Sequence, residues 1–288
     1  MSGLIEQLSA NRNFQGQISA EELSGSLVDL AELDKTSEKQ KLTGCLVALA
    51  GGPVAVAGFV LIDSQSPTSF LGWPVGVIGV GMLVWGLVSR GKAGSTDFED
   101  RRYQLVDRLN RLIGVDMAPN AVLDLTLNLE PVDIKHKLVN KGKAGIWNVD
   151  YYEDSWLKLR GQLLDGTRFT LELTEKYQYR HRKKRSASGK IKHKSKTKSA
   201  IQALVSLKPK EKRYPDAGEL GQQARGALQL PQATQVKELS AQDNVLTLKT
   251  ARKGDWNVNS STDLLSGMLL SLYQVLNLSR KIGKSKSN

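Results

Sequence analysis

Two stretches of this chain carry no charged side chain, and the hydrophobic pattern on either side of them is of another kind. Leu42–Ile62 is uncharged over 21 residues and Phe70–Val88 over 19. As helices rising about 1.5 Å per residue, each is long enough to cross a hydrocarbon core of about 30 Å. The connection Asp63–Ser69 holds no Lys or Arg, whereas Lys35, Lys39 and Lys41 precede the pair and Arg90, Lys92, Arg101 and Arg102 follow it. The positive-inside rule then predicts a transmembrane hairpin with both termini cytoplasmic, as in a bacterial inner membrane. Gly44, Ala48 and Gly52 recur every four residues in the first helix, and Gly72, Gly76, Gly79 and Gly86 lie near one face of the second. Such stripes let helix backbones approach closely in lipid, either within the hairpin or between copies of the chain. Gly51-Gly52-Pro53 predicts a kink, and Trp73 and Trp85 are placed as interfacial anchors.

Elsewhere the apolar positions follow helical or strand periods. Ser19-Ala20-Glu21-Glu22 is a capping box before Leu23, Leu27, Leu30 and Leu33 at helical spacing. Thr96–Ile113 reads as an amphipathic helix with Leu105, Leu109 and Leu112 on one side, ended by Gly114. From Ala121 the period falls to two. Leu123, Leu125, Leu127 and Leu129 alternate with polar residues, which predicts a half-buried strand. Shorter strands follow at Asp133–Val139 and Ile146–Tyr152, about a turn at Lys141–Gly145. Trp156–Leu163 and Thr167–Lys176 form a predicted hairpin. A three-residue turn, Leu164-Asp165-Gly166 with Gly166 left-handed, pairs Leu159 with Leu171 and Leu157 with Leu173. It also sets Lys158 against Glu172 and Gly161 against Phe169, and so gives one clean apolar face. Ala200–Leu207 is a further strand and Asp216–Leu228 a short helix. Val236–Leu239 and Val245–Thr250 are strands about Gln242-Asp243-Asn244. Thr262–Lys281 is a strongly apolar helix capped by Ser261 or Thr262, expected to cover the sheet.

The predicted fold is therefore an α+β membrane protein. A two-helix transmembrane hairpin precedes a cytoplasmic, mainly antiparallel β domain with covering helices. Residues 1–41 form an N-terminal cytoplasmic helical segment, 42–89 the hairpin, 90–120 a juxtamembrane amphipathic helix and 121–288 the β-rich domain.

Charge adds the main functional signal. The 288 residues carry 41 Lys and Arg against 29 Asp and Glu, a formal charge of +12. Eleven of the bases fall in Lys176–Lys198, which holds no acid. Lys190, Lys192, Lys194, Lys196 and Lys198 alternate at a strand period, as do Arg180, Arg182 and Lys184. Ser186-Ala187-Ser188-Gly189 is a natural turn, so 176–199 reads as a hairpin projecting beyond the core. An even turn would put the five lysines on one face with Arg185, Lys183, His181, Tyr179 and Tyr177; an odd loop would exchange those partners. The anion-binding residues are then Arg180, Arg182, Lys183, Lys184, Arg185, Lys190, Lys192, Lys194, Lys196 and Lys198. Their expected partners are anionic lipid head groups, an acidic protein or a nucleic acid backbone.

Residues 11–22 resemble an EF-hand loop. Asn11, Asn13, Gln15, Gly16, Ile18 and Glu22 fall at loop positions 1, 3, 5, 6, 8 and 12 of that family's pattern. Amides replace the acids at positions 1, 3 and 5, leaving Glu22 as the carboxylate, so no calcium is expected and the segment reads as a capped helix after a glycine turn. The single cysteine, Cys45, excludes an intrachain disulfide and a thiolate metal site. His136, His181 and His193 lack metal-ligand spacing, and no nucleophile elbow, phosphate-binding loop or dinucleotide fingerprint is present. Glu153-Asp154 reads as a solvated strand end. Neither a catalytic residue, nor a metal site, nor a cofactor is predicted. These observations together favour a non-enzymatic, membrane-anchored binding or scaffold module, with a membrane-tethered nucleic-acid binder second and an unfamiliar membrane enzyme third.

Overall fold

The computed structural model describes residues 3–63, 69–95, 98–185, 189–214, 226 and 228–286. Of the helix expected at Asp216–Leu228 only residues 226 and 228 are described, and the turn residues Ser186–Ser188 lie outside the described residues. The chain divides into two compact units, Val28–Phe98 and the remainder.

The larger unit is built on an eight-stranded sheet: β1 (Asn13–Ser19), β2 (Val122–Asn128), β3 (Leu138–Ala144), β4 (Trp147–Gln162), β5 (Arg168–Arg185), β6 (Ile191–Lys208), β7 (Gln235–Gln242) and β8 (Val245–Lys253). All pairings are antiparallel, in the order β1-β2-β4-β5-β6-β8-β7, with β3 on the N-terminal half of β4. The hairpin β4–β5 takes the predicted register: Leu159 faces Leu171, Leu157 faces Leu173, Lys158 faces Glu172 and Gly161 faces Phe169. Gly166 closes the turn at φ +83°, a conformation that a Cβ would oppose. Phe169, Leu171, Leu173, Ile201, Val205, Leu207, Leu246 and Leu248 are buried along one face. That face is the inner one.

Helix α1 (Gly3–Asn11) buries Leu4, Ile5 and Leu8. Helix α2 (Ala20–Asp63) starts where expected, with Ser19 Oγ accepting the Glu22 N–H at 3.1 Å. Helix α3 is Gly72–Ser95 and helix α4 is Asp100–Gly114. In α4, Leu105 and Leu109 are buried but Leu112 is exposed, and the buried side includes Arg102, Tyr103, Val106 and Asn110 instead. Helix α5 (Val258–Lys286) packs against β6 and β8 through a face that includes Leu265, Met268 and Leu272, and also contacts α4. Its cap is Asn257 rather than Ser261 or Thr262: Asn257 Oδ1 accepts the Ser260 N–H at 2.8 Å, and the helix begins earlier to use it.

Several expectations are corrected. The EF-hand-like stretch is not a loop. Its centre is strand β1, fully paired to β2, with Phe14 and Ile18 buried. A Cβ at Gly16 would lie 3.2 Å from Phe14 Cζ, so this glycine makes room for a ring rather than for a metal turn. Lys141–Ala144 continues β3, whose tight turn is Gly145-Ile146. His136 sits in a 3₁₀ turn, Lys135–Lys137. The two strands expected at Ile146–Tyr152 and Trp156–Leu163 are one strand, β4, with a bulge at Trp156. The bulge adds one residue, so Tyr152 and Asp154 face inward before it and Leu157 and Leu159 face inward after it.

The smaller unit contains α3 and the longer part of α2. Both helices are long and apolar enough to cross a membrane, over Ala20–Ile62 and Gly72–Ser89. Their packing is the inverse of a water-soluble core. Glycines occupy the contact: a Cβ at Gly51 would sit 2.7 Å from Gly79 O, and one at Gly72 would sit 2.6 Å from Ile62 N. Gly58 opposes Gly76, and Gly86 opposes Gly44 and Ala48. The seam on α2 runs through Gly44, Ala48, Gly51, Ala55 and Gly58, alternating steps of four and three. Gly52, expected on the stripe, faces open space. Leu46, Leu49, Phe59, Val77 and Trp85 point outward, each more than half exposed. Helix α2 runs unbroken through Pro53.

Candidate functional site

The basic stretch is the outer end of β5 and β6, which continue as one ladder from the core to the pair Arg185–Ile191. That outermost pair leaves an odd number of residues between the strands. The partnership expected from an even turn is therefore exchanged. Lys192, Lys194, Lys196 and Lys198 stand opposite Lys184, Arg182, Arg180 and Gln178. All seven cations share the outer sheet face. Tyr177, Tyr179, His181, Lys183 and Arg185 lie on the inner face, with Ser199, Thr197, Ser195, His193 and Ile191. Lys190 lies just before β6.

The outer face has an aromatic third strand that the hydrophobic pattern did not assign to it. The bulge at Trp156 reverses the parity of β4, so Trp147, Val149 and Tyr151 join the cations on the outer side. Arg182 Cζ lies 4.6 Å from the Trp147 ring centroid, and Lys196 Nζ also lies 4.6 Å from it. Both distances are within cation–π range. Arg180 is steadied by Gln178, whose Oε1 accepts from its Nε at 3.2 Å and its Nη2 at 2.6 Å. Arg182 Nε is buried and makes no hydrogen bond. Among the described residues, no carboxylate pairs with any of the seven cations. At the core end of this face the charges balance: Lys176 pairs with Glu153 at 3.3 Å and Lys158 with Glu172 at 2.5 Å. Between the two ends lies a cleft of about 560 Å³, lined by Lys176, Gln178, Arg180, Lys198, Lys253 and Asp255 among others.

A second charged cluster lies on the inner side, where the apolar core gives way to the arm. Arg102 is fully buried. Its Nη2 meets Asp154 Oδ2 at 2.8 Å and Glu175 Oε2 at 3.3 Å, and its Nη1 donates to the carbonyls of Asn128 and Glu130. Lys137 Nζ donates to the same Asp154 oxygen at 2.8 Å and to Glu130 O at 3.1 Å. Glu99 Oε2 faces Arg102 Nε at 2.9 Å. Trp156 and Trp256 stack at 5.4 Å, with Arg102 over the first ring and Arg101 over the second. Burial raises the Glu175 pKa and lowers that of Lys137, against the opposing pull of their ion partners. Asp154, expected as a solvated strand end, is thus a buried ligand of two cations, while Glu153 beside it is exposed. Nothing in the sequence distinguished Arg102 from its neighbour Arg101. Its signal is the pairing of three facing carboxylates that lie far apart along the chain. The opposite charges pair with one another across α4, β4 and β5, which suits a structural tie.

Among the described residues, no group of three or more His, Cys, Asp or Glu is arranged to hold a metal ion. His136 Nε2, in the 3₁₀ turn, lies 3.2 Å from Glu130 Oε2, and His181 Nδ1, on β5, lies 4.0 Å from Asp150 Oδ2. Compared with protein-family models, with curated proteins and with solved structures, the chain matches none.

Proposed function

We propose that this chain is a non-enzymatic, membrane-anchored binding module whose outer sheet face holds a phosphate-bearing polyanion. The observation that carries this reading is the group of seven cations on one face of an ordered ladder, with no acid partner among the described residues. Like charges on neighbouring strands repel, and an anion that bridges the rows removes that cost. The anchoring half rests on the inverted packing of α2 and α3. Glycines at the seam and large apolar side chains outside suit lipid as solvent and would be costly in water. In this reading the hairpin spans the bilayer, with both termini and the cationic face on the cytoplasmic side of a bacterial inner membrane. The glycine seam serves the hairpin, and self-association would use other surfaces of α2 and α3.

The test has two parts. Full-length protein in nanodiscs of neutral lipid should bind anionic vesicles or nucleic acid at low salt and release them as salt rises. Replacing Lys192, Lys194, Lys196 and Lys198 by Gln should weaken that binding strongly. Binding undiminished by the four substitutions would refute the site. For topology, Cys45→Ala chains carrying Ser66→Cys or Lys190→Cys should label from opposite sides of sealed cells; labelling of both from outside would refute the orientation.

A further inference from the structure

Building on that cationic face, we infer that its partner is a single-stranded nucleic acid, with Trp147 as the position on which a base stacks. Three features separate this from a lipid surface. First, the Trp147 ring is recessed among the cations. Trp147 is half-buried beneath Arg182 and Lys196. A bilayer anchor must protrude to reach the acyl boundary, whereas a flat ring set in a sheet can receive another flat ring brought to it.

Second, the neighbouring strand is kept low. On β3, Ala144 stands opposite Trp147, Gly142 opposite Val149 and Asn140 opposite Tyr151. A Cβ at Gly142 would lie 3.5 Å from Tyr151 Cε2, an ordinary contact, but a longer side chain would reach across that ring. The residues opposite this strand on β3 are thus short and do not cover Trp147 or Tyr151 with long side chains. The resulting surface has a floor of small side chains, then two aromatic rings, then two rows of cations. Bases would lie on the rings and the phosphates along the rows.

Third, the spacing is that of a track. Same-face residues repeat every two positions, about 7 Å apart along each strand. The rows run from Lys184 and Lys192 at the tip to Arg180 and Lys198, and on into the cleft beside Lys253. A duplex would bring its phosphates but present no unstacked base, so it would leave Trp147 unused. Sheet surfaces that combine cations with exposed rings bind unpaired strands because every base has a π-face.

The experiment uses full-length protein in neutral-lipid nanodiscs and compares three probes. They are a labelled single-stranded oligonucleotide of mixed sequence, the matching duplex, and vesicles containing anionic lipid. The wild type should bind the single strand more tightly than the duplex. Trp147→Ala should weaken single-strand binding about tenfold and duplex and vesicle binding much less, and Trp147→Phe should restore most of the single-strand loss because it keeps a ring. Replacing the four lysines by Gln should reduce all binding. It should also make the slope of log affinity against log salt shallower, by about 0.7 for each phosphate no longer held. A melting curve for each variant separates loss of binding from loss of fold. Should the wild type bind vesicles but no oligonucleotide, or should Trp147→Ala bind the single strand as the wild type does, this inference fails while the polyanion reading stands. If the wild type binds none of the three probes at low salt, both fall.

Discussion

The two halves of strand β5 share one unbroken hydrogen-bonded ladder with β6, yet they rest on different physics. Along Arg168–Glu175, the inner face holds Phe169, Leu171 and Leu173, all buried, and the outer Glu172 is matched by Lys158. Along Lys176–Arg185, the inner face carries Tyr177, Tyr179 and His181, then the exposed Lys183 and Arg185 toward the tip. The outer face beyond Lys176 is cationic, with no acid to match it among the described residues. The body half gains from apolar burial at about 25 cal/mol per Å², whereas the arm half repels its own neighbours. A continuous ladder therefore says how the strands run and little about what each part is for. The border between the halves is where Glu175 and Asp154 share Arg102.

The sharpest way to break this comparison is at that border. Replacing Arg102 by Leu leaves Asp154 and Glu175 buried with fewer positive partners. Breaking a buried ion pair from one side costs roughly 3–5 kcal/mol. We expect a loss of that order in the unfolding free energy of the full chain, read from denaturant midpoints. A variant as stable as the wild type would mean that the arm and the body are joined by the ladder alone.

A smaller and signed effect follows from Glu175. Burial raises its pKa above the usual glutamate range, so the folded state holds this proton more tightly than the unfolded chain does. That contribution is complete below the unfolded value of about 4.3 and is lost as pH rises through the raised folded value. Glu175→Gln has no such proton. The stability difference between the two proteins should therefore shift against the wild type as pH rises across this window. An unchanged difference across the window would show that Glu175 keeps an ordinary pKa. Lys137 does not confuse the reading: its lowered pKa adds stability above the unfolded lysine value of about 10.4 and loses it as pH falls through the depressed one.

How much of this was legible in the chain follows the same division. The body hairpin could be read to the residue, because only one register puts Leu157, Leu159, Leu171 and Leu173 on a single face. The hairpin of α2 and α3 announced itself through missing charge, although the seam chose Gly51 and Ala55 over Gly52, a matter of helix rotation that glycine content alone cannot settle. Strand β1 was concealed by its amides and by Gly16, yet Phe14, Gly16 and Ile18 alternate at period two, and that was the available signal. The parity of the arm depended on an odd connection, and the inclusion of Trp147 depended on a bulge nine residues downstream. Both are backbone events that side-chain pattern does not encode. The burial of Arg102 needed partners from strands far along the chain.

The smallest expected effect on stability, and the most informative about the arm, comes from salt. If the cation rows strain the outer ladder, screening should tighten it. Raising ionic strength from 0.01 M to 1 M shortens the Debye length from about 30 Å to about 3 Å, well below the span of the rows. Amide hydrogen exchange over 177–185 and 191–198 should then slow, while exchange over 169–175 should not change. Gln at Lys192, Lys194, Lys196 and Lys198 should mimic high salt, slowing arm exchange already at low ionic strength. Global stability should move by less than about 0.5 kcal/mol, as for surface substitutions away from the core. The two halves would prove to be one physical unit if their exchange responded to salt alike. An arm indifferent to both salt and substitution would mean that its cations do not oppose the ladder, and the case for a bound polyanion would lose its energetic motive.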